Sequence, residues 1–397
     1  QKLLLAFDRL YTRPADARGV EVLCREVISE QPNSLEAWML LGDVLYEYNQ
    51  EQGRSMEEAG RAYRRVLDLD PGFVPAMEIL LTVAAVLEDY AELDSVQLRL
   101  GEMNLEGLFK TLLDVQLAFS RGSPAVQEST LAVLREQPWV PVWGAIWRVA
   151  SYLTNYEGAM RVAETMTAPS QLDEDRALAH VARAQIETAR GRWAAARKEI
   201  DRGRQFNLRV ALRHHGFLVL TPFMPRSEAE LSGLYREILR QIPGPDAPIP
   251  PPVLGHYLCG LIQTDRGRLE SAEHHAQSLD SLAALPTDVP GWSAQWNAQA
   301  RDFARGVRAH AAWQKGEPRT TLAILEQLEP EGWWWFVTWE PQYSLTRERW
   351  LRAEALRRLG QPEESLPWYE SLAWSLPEEP YRAPAHLRRA QVYEELG

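Results

Sequence analysis

Cysteine is nearly absent from this chain. The two present, Cys24 and Cys259, lie far apart and belong to no paired motif. That spacing excludes a disulfide framework and a four-cysteine zinc site, and it favours a reduced, cytoplasmic setting. Long apolar runs are missing as well. No stretch approaches the roughly eighteen apolar residues that a spanning helix needs, so no transmembrane segment is expected. Lysine is scarce, occurring only at Lys2, Lys110, Lys198 and Lys315. The remaining cations are arginines, a bias that points to a GC-rich genome. Acidic residues number 55 against 43 basic ones, a net charge of −12. A surface of that sign repels phosphate backbones, so nucleic acid is not an expected partner.

Catalytic motifs are lacking too. The chain has no G-x-x-x-x-G-K-[ST], no strand–G-x-G-x-x-G–helix, no G-x-S-x-G and no H-E-x-x-H,. The neighbouring histidines His214–His215 and His274–His275 would point about 100° apart on a helix and cannot share one ion without distortion. His256 and Cys259 have i, i+3 spacing, half of a zinc site, but no second pair completes it. Cys259 also falls in a packing slot of the repeats described below. The acidic pairs Glu57–Glu58, Asp173–Asp175 and Glu378–Glu379 fall at expected helix starts, where the helix dipole favours negative charge. No metal, cofactor or catalytic constellation is expected, and the chain reads as a non-enzyme.

What the sequence does contain is helical periodicity along almost its whole length, organised as a repeat. In 35-LEAWMLLGDVLYEYNQEQGRSMEEAGRAYRRVLDLDPG-72, Trp38, Leu41, Gly42 and Leu45 follow the spacing W-x2-L-G-x2-Y, with leucine in the last slot. Ala59, Tyr63 and Pro71 follow A-x3-F…P after about five extra residues around Gln52–Met56,. Small residues at Gly42 and Ala59 let two helices cross closely, Trp38 and Tyr63 fill the wedge, and Pro71 stops the second helix. Weaker copies recur at 176–206, 253–279 and 347–377, the second with Gly260 and Ala272 in the close-approach slots.

The segment 35–72 thus resembles a tetratricopeptide repeat with a lengthened turn. The resemblance implies an all-α fold, an α-solenoid of about ten helix-turn-helix repeats in a right-handed superhelix. Proline-rich 242-IPGPDAPIPPP-252 interrupts the helical pattern, and 285-LPTDVPGW-292 is a second break,. A soft boundary there divides the chain into an N-terminal array, 1–246, and a C-terminal array, 247–397. The last stretch, 383–397, is expected to be the first helix of one more repeat, ending with an uncovered apolar face.

Three phrases, 35–59, 188-TARGRWAAARKEID-201 and 380-PYRAPAHLRRAQVYEELG-397, resemble the C-terminal tetratricopeptide region of bacterial multidomain signalling proteins. Those proteins carry an N-terminal kinase, cyclase or DNA-binding regulator. The resemblance implies an interaction or sensing arm, and the start at Gln1 reads as a cut from something longer. No kinase glycine loop, H-R-D or D-F-G occurs in the chain, so no kinase activity carries over,.

In such arrays the first helix of each pair lines the concave face. Projection places Glu36, Met39, Asp43, Tyr46 and Glu47 inward near the start. It places His310, Trp313, Arg347, Trp350, Arg357 and Arg358 inward near the end. The arginines suit a carboxylate and the tryptophans an apolar or cationic side chain, so the expected partner is a segment of another protein. A matching Lys/Asn clamp is missing. A second copy, packing through the repeat ends into a homo-oligomer, is the alternative partner. Trp333, Trp334, Trp335 and Trp339 crowd into 331-EGWWWFVTWEP-341 between two expected helices. There they serve either as a packing seam covering helix ends or as an exposed docking patch.

Overall fold

The computed structural model describes residues 1–12, 15–242, 251–288, 292–329, 343–372 and 375–397. Among the described residues the chain is helical throughout, with no strand. The first pairs are α1 (Lys2–Tyr11) with α2 (Ala17–Glu30), α3 (Leu35–Tyr48) with α4 (Glu57–Leu69), and α5 (Val74–Val86) with α6 (Tyr90–Gly101). Next come α7 (Gly107–Arg121) with α8 (Pro124–Arg135), α9 (Trp139–Trp147) with α10 (Tyr156–Glu164), and α11 (Asp173–Ala189) with α12 (Trp193–Arg204). The array continues through α13 (Leu208–Leu220) with α14 (Glu228–Gln241), α15 (Pro251–Asp265) with α16 (Leu269–Ala283), and α17 (Ala294–Gln314) with α18 (Pro318–Leu325). It ends with α19 (Thr346–Arg358), α20 (Pro362–Glu370) and a single helix, α21 (Glu379–Leu396). Consecutive helices pack on one another along the series, except that α9 packs back on α7 rather than on α8, and the fold is an α-solenoid of tetratricopeptide-like pairs,.

The turns inside the pairs explain the glycines. Gly191, Gly267, Gly316 and Gly360 all sit at positive φ, between 70° and 77°. Each is followed by an N–H that reaches back to the helix: Arg192 to Glu187 (2.8 Å), Arg268 to Gln263 (2.8 Å), Glu317 to Ala312 (3.1 Å) and Gln361 to Leu356 (3.0 Å). This is the left-handed C-terminal cap that glycine makes without steric cost. The turn between α5 and α6 has the same bond, Asp89 N–H to Ala84 (2.9 Å), but places Glu88 at φ 58°.

Close approach accounts for the repeat signature. A Cβ on Gly42 would lie 2.7 Å from the ring of Tyr63, whose hydroxyl donates to Asp43 at 2.9 Å. One on Gly260 would meet Val307 of the next pair, also at 2.7 Å. Trp38 packs at the rim, its indole N–H donating to the Pro32 carbonyl at 2.9 Å. Ion pairs repeat with the period of the fold. Arg161–Glu128 (2.7 Å), Arg190–Glu157 (2.5 Å) and Arg197–Glu230 (2.7 Å) each join residues 33 apart. Arg197 grips Glu230 with both Nε and Nη2, a two-pronged geometry that lysine cannot form.

One apolar spine runs from Ala6 to Met224, and it includes Leu376. A second spans Leu212 to Leu345, and a third joins Phe217 to residues 350–392. The end of the chain therefore returns to its first half. The break at 243–250 lies outside the described residues, and α14 and α15 pack together on either side of it.

Candidate interaction surface at the closure of the superhelix

The structure separates the six described candidates into two groups. His310, Arg347 and Trp350 are buried and present no surface to a partner. Trp350 packs edge-on against Phe223, with ring centroids 4.8 Å apart, and against Tyr369 at 5.4 Å. Projection from a single helix could not foresee this, because the covering elements come from elsewhere in the sequence. Trp313 and Arg358 are accessible and pair with each other, the guanidinium 5.2 Å from the indole centroid. Arg357 is turned to α21, donating to Glu395 (3.0 Å) and Gln391 (3.1 Å). Trp333, Trp334, Trp335 and Trp339 lie outside the described residues. Of the early set, Tyr46 is buried.

Three consecutive residues at the start of α19 weld distant elements together. Arg347 donates to the Leu220 carbonyl (2.6 Å) and to Asp265 (2.5 Å), which also pairs with Arg226 at 2.8 Å. Glu348 accepts from the Tyr257 hydroxyl at 2.7 Å and lies 3.4 Å from His310. Burial and the nearby Arg347 push the His310 pKa down. Arg349 donates to the Ser344 carbonyl at 2.9 Å and pairs with Glu378, which also accepts from Ser344 (2.9 Å) and Thr346 (2.8 Å). Buried charge is tolerated at Arg347 and Arg349 because each has a carboxylate partner and further hydrogen bonds, and at Glu348 because Tyr257 donates to it and Arg347 lies close enough to favour its charge,.

That weld carries α21 onto α11 and the turns of the N-terminal pairs, where the array closes on itself. Arg382 is the centre of the seam. It donates to Glu88 (3.1 Å), to Glu379 (2.7 Å) and to the Ser151 carbonyl (3.3 Å). Ser151 lies in a π-helical turn, Arg148–Tyr152, that extends α9. Such turns release backbone carbonyls from the regular ladder. Glu379 also accepts from the Tyr156 hydroxyl at 2.9 Å, and His386 lies 3.1 Å from Glu88. Burial works against the charge on Arg382, but Glu379 and Glu88 outweigh it and hold its pKa above the usual range. Trp368 presses against Gly53, where an added Cβ would meet the indole, and the Arg352 guanidinium lies over its ring at 4.1 Å. The final helix is thus covered through Tyr381, Ala385 and Val392, while the apolar Leu387, Tyr393 and Leu396 remain exposed.

The remaining sequence candidates are structural. His256 meets His275, not Cys259, with Nδ1 to Nδ1 at 3.0 Å, and His275 also contacts the Tyr235 hydroxyl at 3.2 Å. Burial, then His256 and His274, lower the His275 pKa to about 4. Burial raises both cysteine thiols to about 12, so neither is a nucleophile at neutral pH. Among the described residues no three His, Cys, Asp or Glu side chains are grouped to hold a metal, and no helix is long and apolar enough to cross a membrane.

No family model matches the chain, and no curated protein matches it by sequence. Solved structures to which it is similar include the TPR domain of P58(IPK), at 14% identity and TM-score 0.26, covering 99% of this chain and 98% of that one. Yeast Tom70 is similar at 11% identity and TM-score 0.24, with 98% and 96% covered. The Naa15/Naa10 complex bound to HypK-THB gives 13% identity and TM-score 0.25, with 98% of this chain and 61% of that chain covered.

Proposed function

We propose that this chain is a non-catalytic protein-interaction scaffold, the cytoplasmic regulatory arm of a larger bacterial signalling protein. It recognises a segment of another protein on the inner edge of the solenoid. The observation that carries the reading is the closure seam. There the turns of the N-terminal pairs already grip a helix through directional polar contacts from Glu88, Ser151 and Tyr156, as a peptide-binding edge does,. The Trp313–Arg358 pair, with Arg357 beside it, is the accessible remainder of the aromatic and basic face. Affinity purification with cross-linking, comparing the wild type with Arg382→Ala and with Arg357→Ala/Arg358→Ala, tests it. A partner whose cross-links fall on residues 82–156 and whose recovery changes with the seam variant is the expected result. Unchanged recovery with both variants rejects the surface.

A second reading, a structural subunit that assembles through its repeat ends, is favoured by one feature of α1. Leu4 is 76% exposed, and Phe7 and Tyr11 follow it on the same stripe at 56% and 54%. Sedimentation over a range of concentrations decides it. Association that Leu4→Glu/Phe7→Glu abolishes supports this reading, and a concentration-independent monomer removes it.

A further inference from the structure

The seam encloses a cavity of about 280 Å3 between parts of the chain that are remote in sequence. One wall is the turn between α3 and α4, including Gln50, Arg54 and Met56, together with Glu88 from the next turn. The other wall is formed by the end of α20 and by Arg382, His386 and Arg389 of α21. The α3–α4 turn is the lengthened one, so its extra residues supply this wall, where α11–α12, α15–α16, α17–α18 and α19–α20 make a tight glycine turn.

Among the buried side-chain atoms of the described lining residues, those left without a partner are donors. Glu88 is spent on Arg382 and His386, Glu370 on Arg389 Nη2 (3.3 Å), and Arg54 on Glu21 and Glu58. Two buried donors remain without an acceptor among the described residues, Nε2 of Gln50 and Nε of Arg389. Gln50 is only 5% exposed. A buried N–H with no acceptor is destabilising, and both groups belong to residues lining the same cavity. The size admits a metabolite, not a macromolecule.

We propose that the seam cavity binds a small organic acid or phosphate, whose anionic oxygens accept from Gln50 Nε2 and Arg389 Nε. Because the two donors belong to opposite walls, the ligand bridges the N-terminal turn and the C-terminal helix and holds the superhelix closed. The cavity shares Glu88 and Arg382 with the seam of the proposed partner surface, but its ligand is read by thermal unfolding and the partner by cross-linking, so the failure of one is distinguishable from the failure of the other.

Thermal unfolding of the full chain tests it, with succinate, inorganic phosphate and the neutral analogue succinamide at about 10 mM and ionic strength matched with sodium chloride. Succinate or phosphate should raise the midpoint by about 3 °C, as a ligand well above its dissociation constant does. Whichever of the two acts identifies the source of the anionic group, and succinamide should leave the midpoint unchanged. Gln50→Leu and Arg389→Leu should each abolish the shift. Gln50→Glu, which keeps the size but turns a donor into an acceptor, should abolish it while circular dichroism shows a folded chain. No shift beyond the salt control, an equal shift with succinamide, or a shift that survives in folded Gln50→Glu overturns the proposal.

Discussion

Asp302 on α17 is 3% exposed, pairs with Arg305 at 3.0 Å and accepts the Glu329 N–H at 3.1 Å. Burial dominates these favourable contacts and raises its pKa from 3.8 to about 6. The folded state therefore holds a proton that the unfolded chain releases between about pH 4 and 6, and stability falls as pH rises through that window. Asp302→Asn keeps an acceptor for Glu329 but cannot ionise. Between pH 4 and 7 the wild type should lose up to about 3 kcal/mol relative to the variant, read from paired denaturant curves. Parallel curves would show that Asp302 ionises as freely as in water. Close packing gives a second residue-level test. Gly42→Ala should cost about 1–3 kcal/mol by overpacking against Tyr63,. Gly233→Ala, in α14 with nothing within 4 Å, should be neutral or stabilising by up to about 1 kcal/mol,. Gly42 was legible in sequence from its motif. The burial of Arg347 and Trp350 was not, because part of what covers them, Leu220 and Phe223, lies more than a hundred residues away in the chain.

At the scale of the element, the helix pairs and their turns follow from local rules, and these the sequence exposes. Apolar periodicity marks the helices, and a glycine marks most of the turns inside the pairs. The informative turns are those where another residue takes the left-handed position. Thr154 does so at φ 47°, and among the described residues its side chain bonds to the adjacent Leu153 carbonyl alone. Glu88 does so at φ 58° and holds Arg382 and His386. Thr154→Gly should stabilise the chain by about 1 kcal/mol. Glu88→Gly relieves the same strain but gives up the seam, so it should show no such gain. Equal gains in thermal unfolding would mean that the seam contributes nothing. Neither position is marked in the sequence, because a left-handed residue that is not glycine leaves no pattern.

For the whole molecule, closure depends on contacts such as Arg382 to Glu88, 294 positions apart. No repeat periodicity encodes a contact at that range, which is why the sequence predicted an open C-terminal end. Arg382→Ala removes donors to Glu88, Glu379 and Ser151 together. It should expand the particle, seen as a larger radius of gyration in solution scattering, while helical content stays constant. Gly53→Ala, which drives a methyl into Trp368 at a positive-φ position, should act in the same direction. A radius unchanged in both variants would show that the seam does not hold the shape.

An open row of repeats melts from its tips, because a terminal unit has a neighbour on one side only. In this chain the tail of the row leans on units near its head, so fraying there must first break the latch at Arg382. The array is thereby converted from a zipper into something nearer a hoop. Its unfolding should approach all-or-none, and exchange of backbone amides in α20 and α21 should be as slow as at mid-chain.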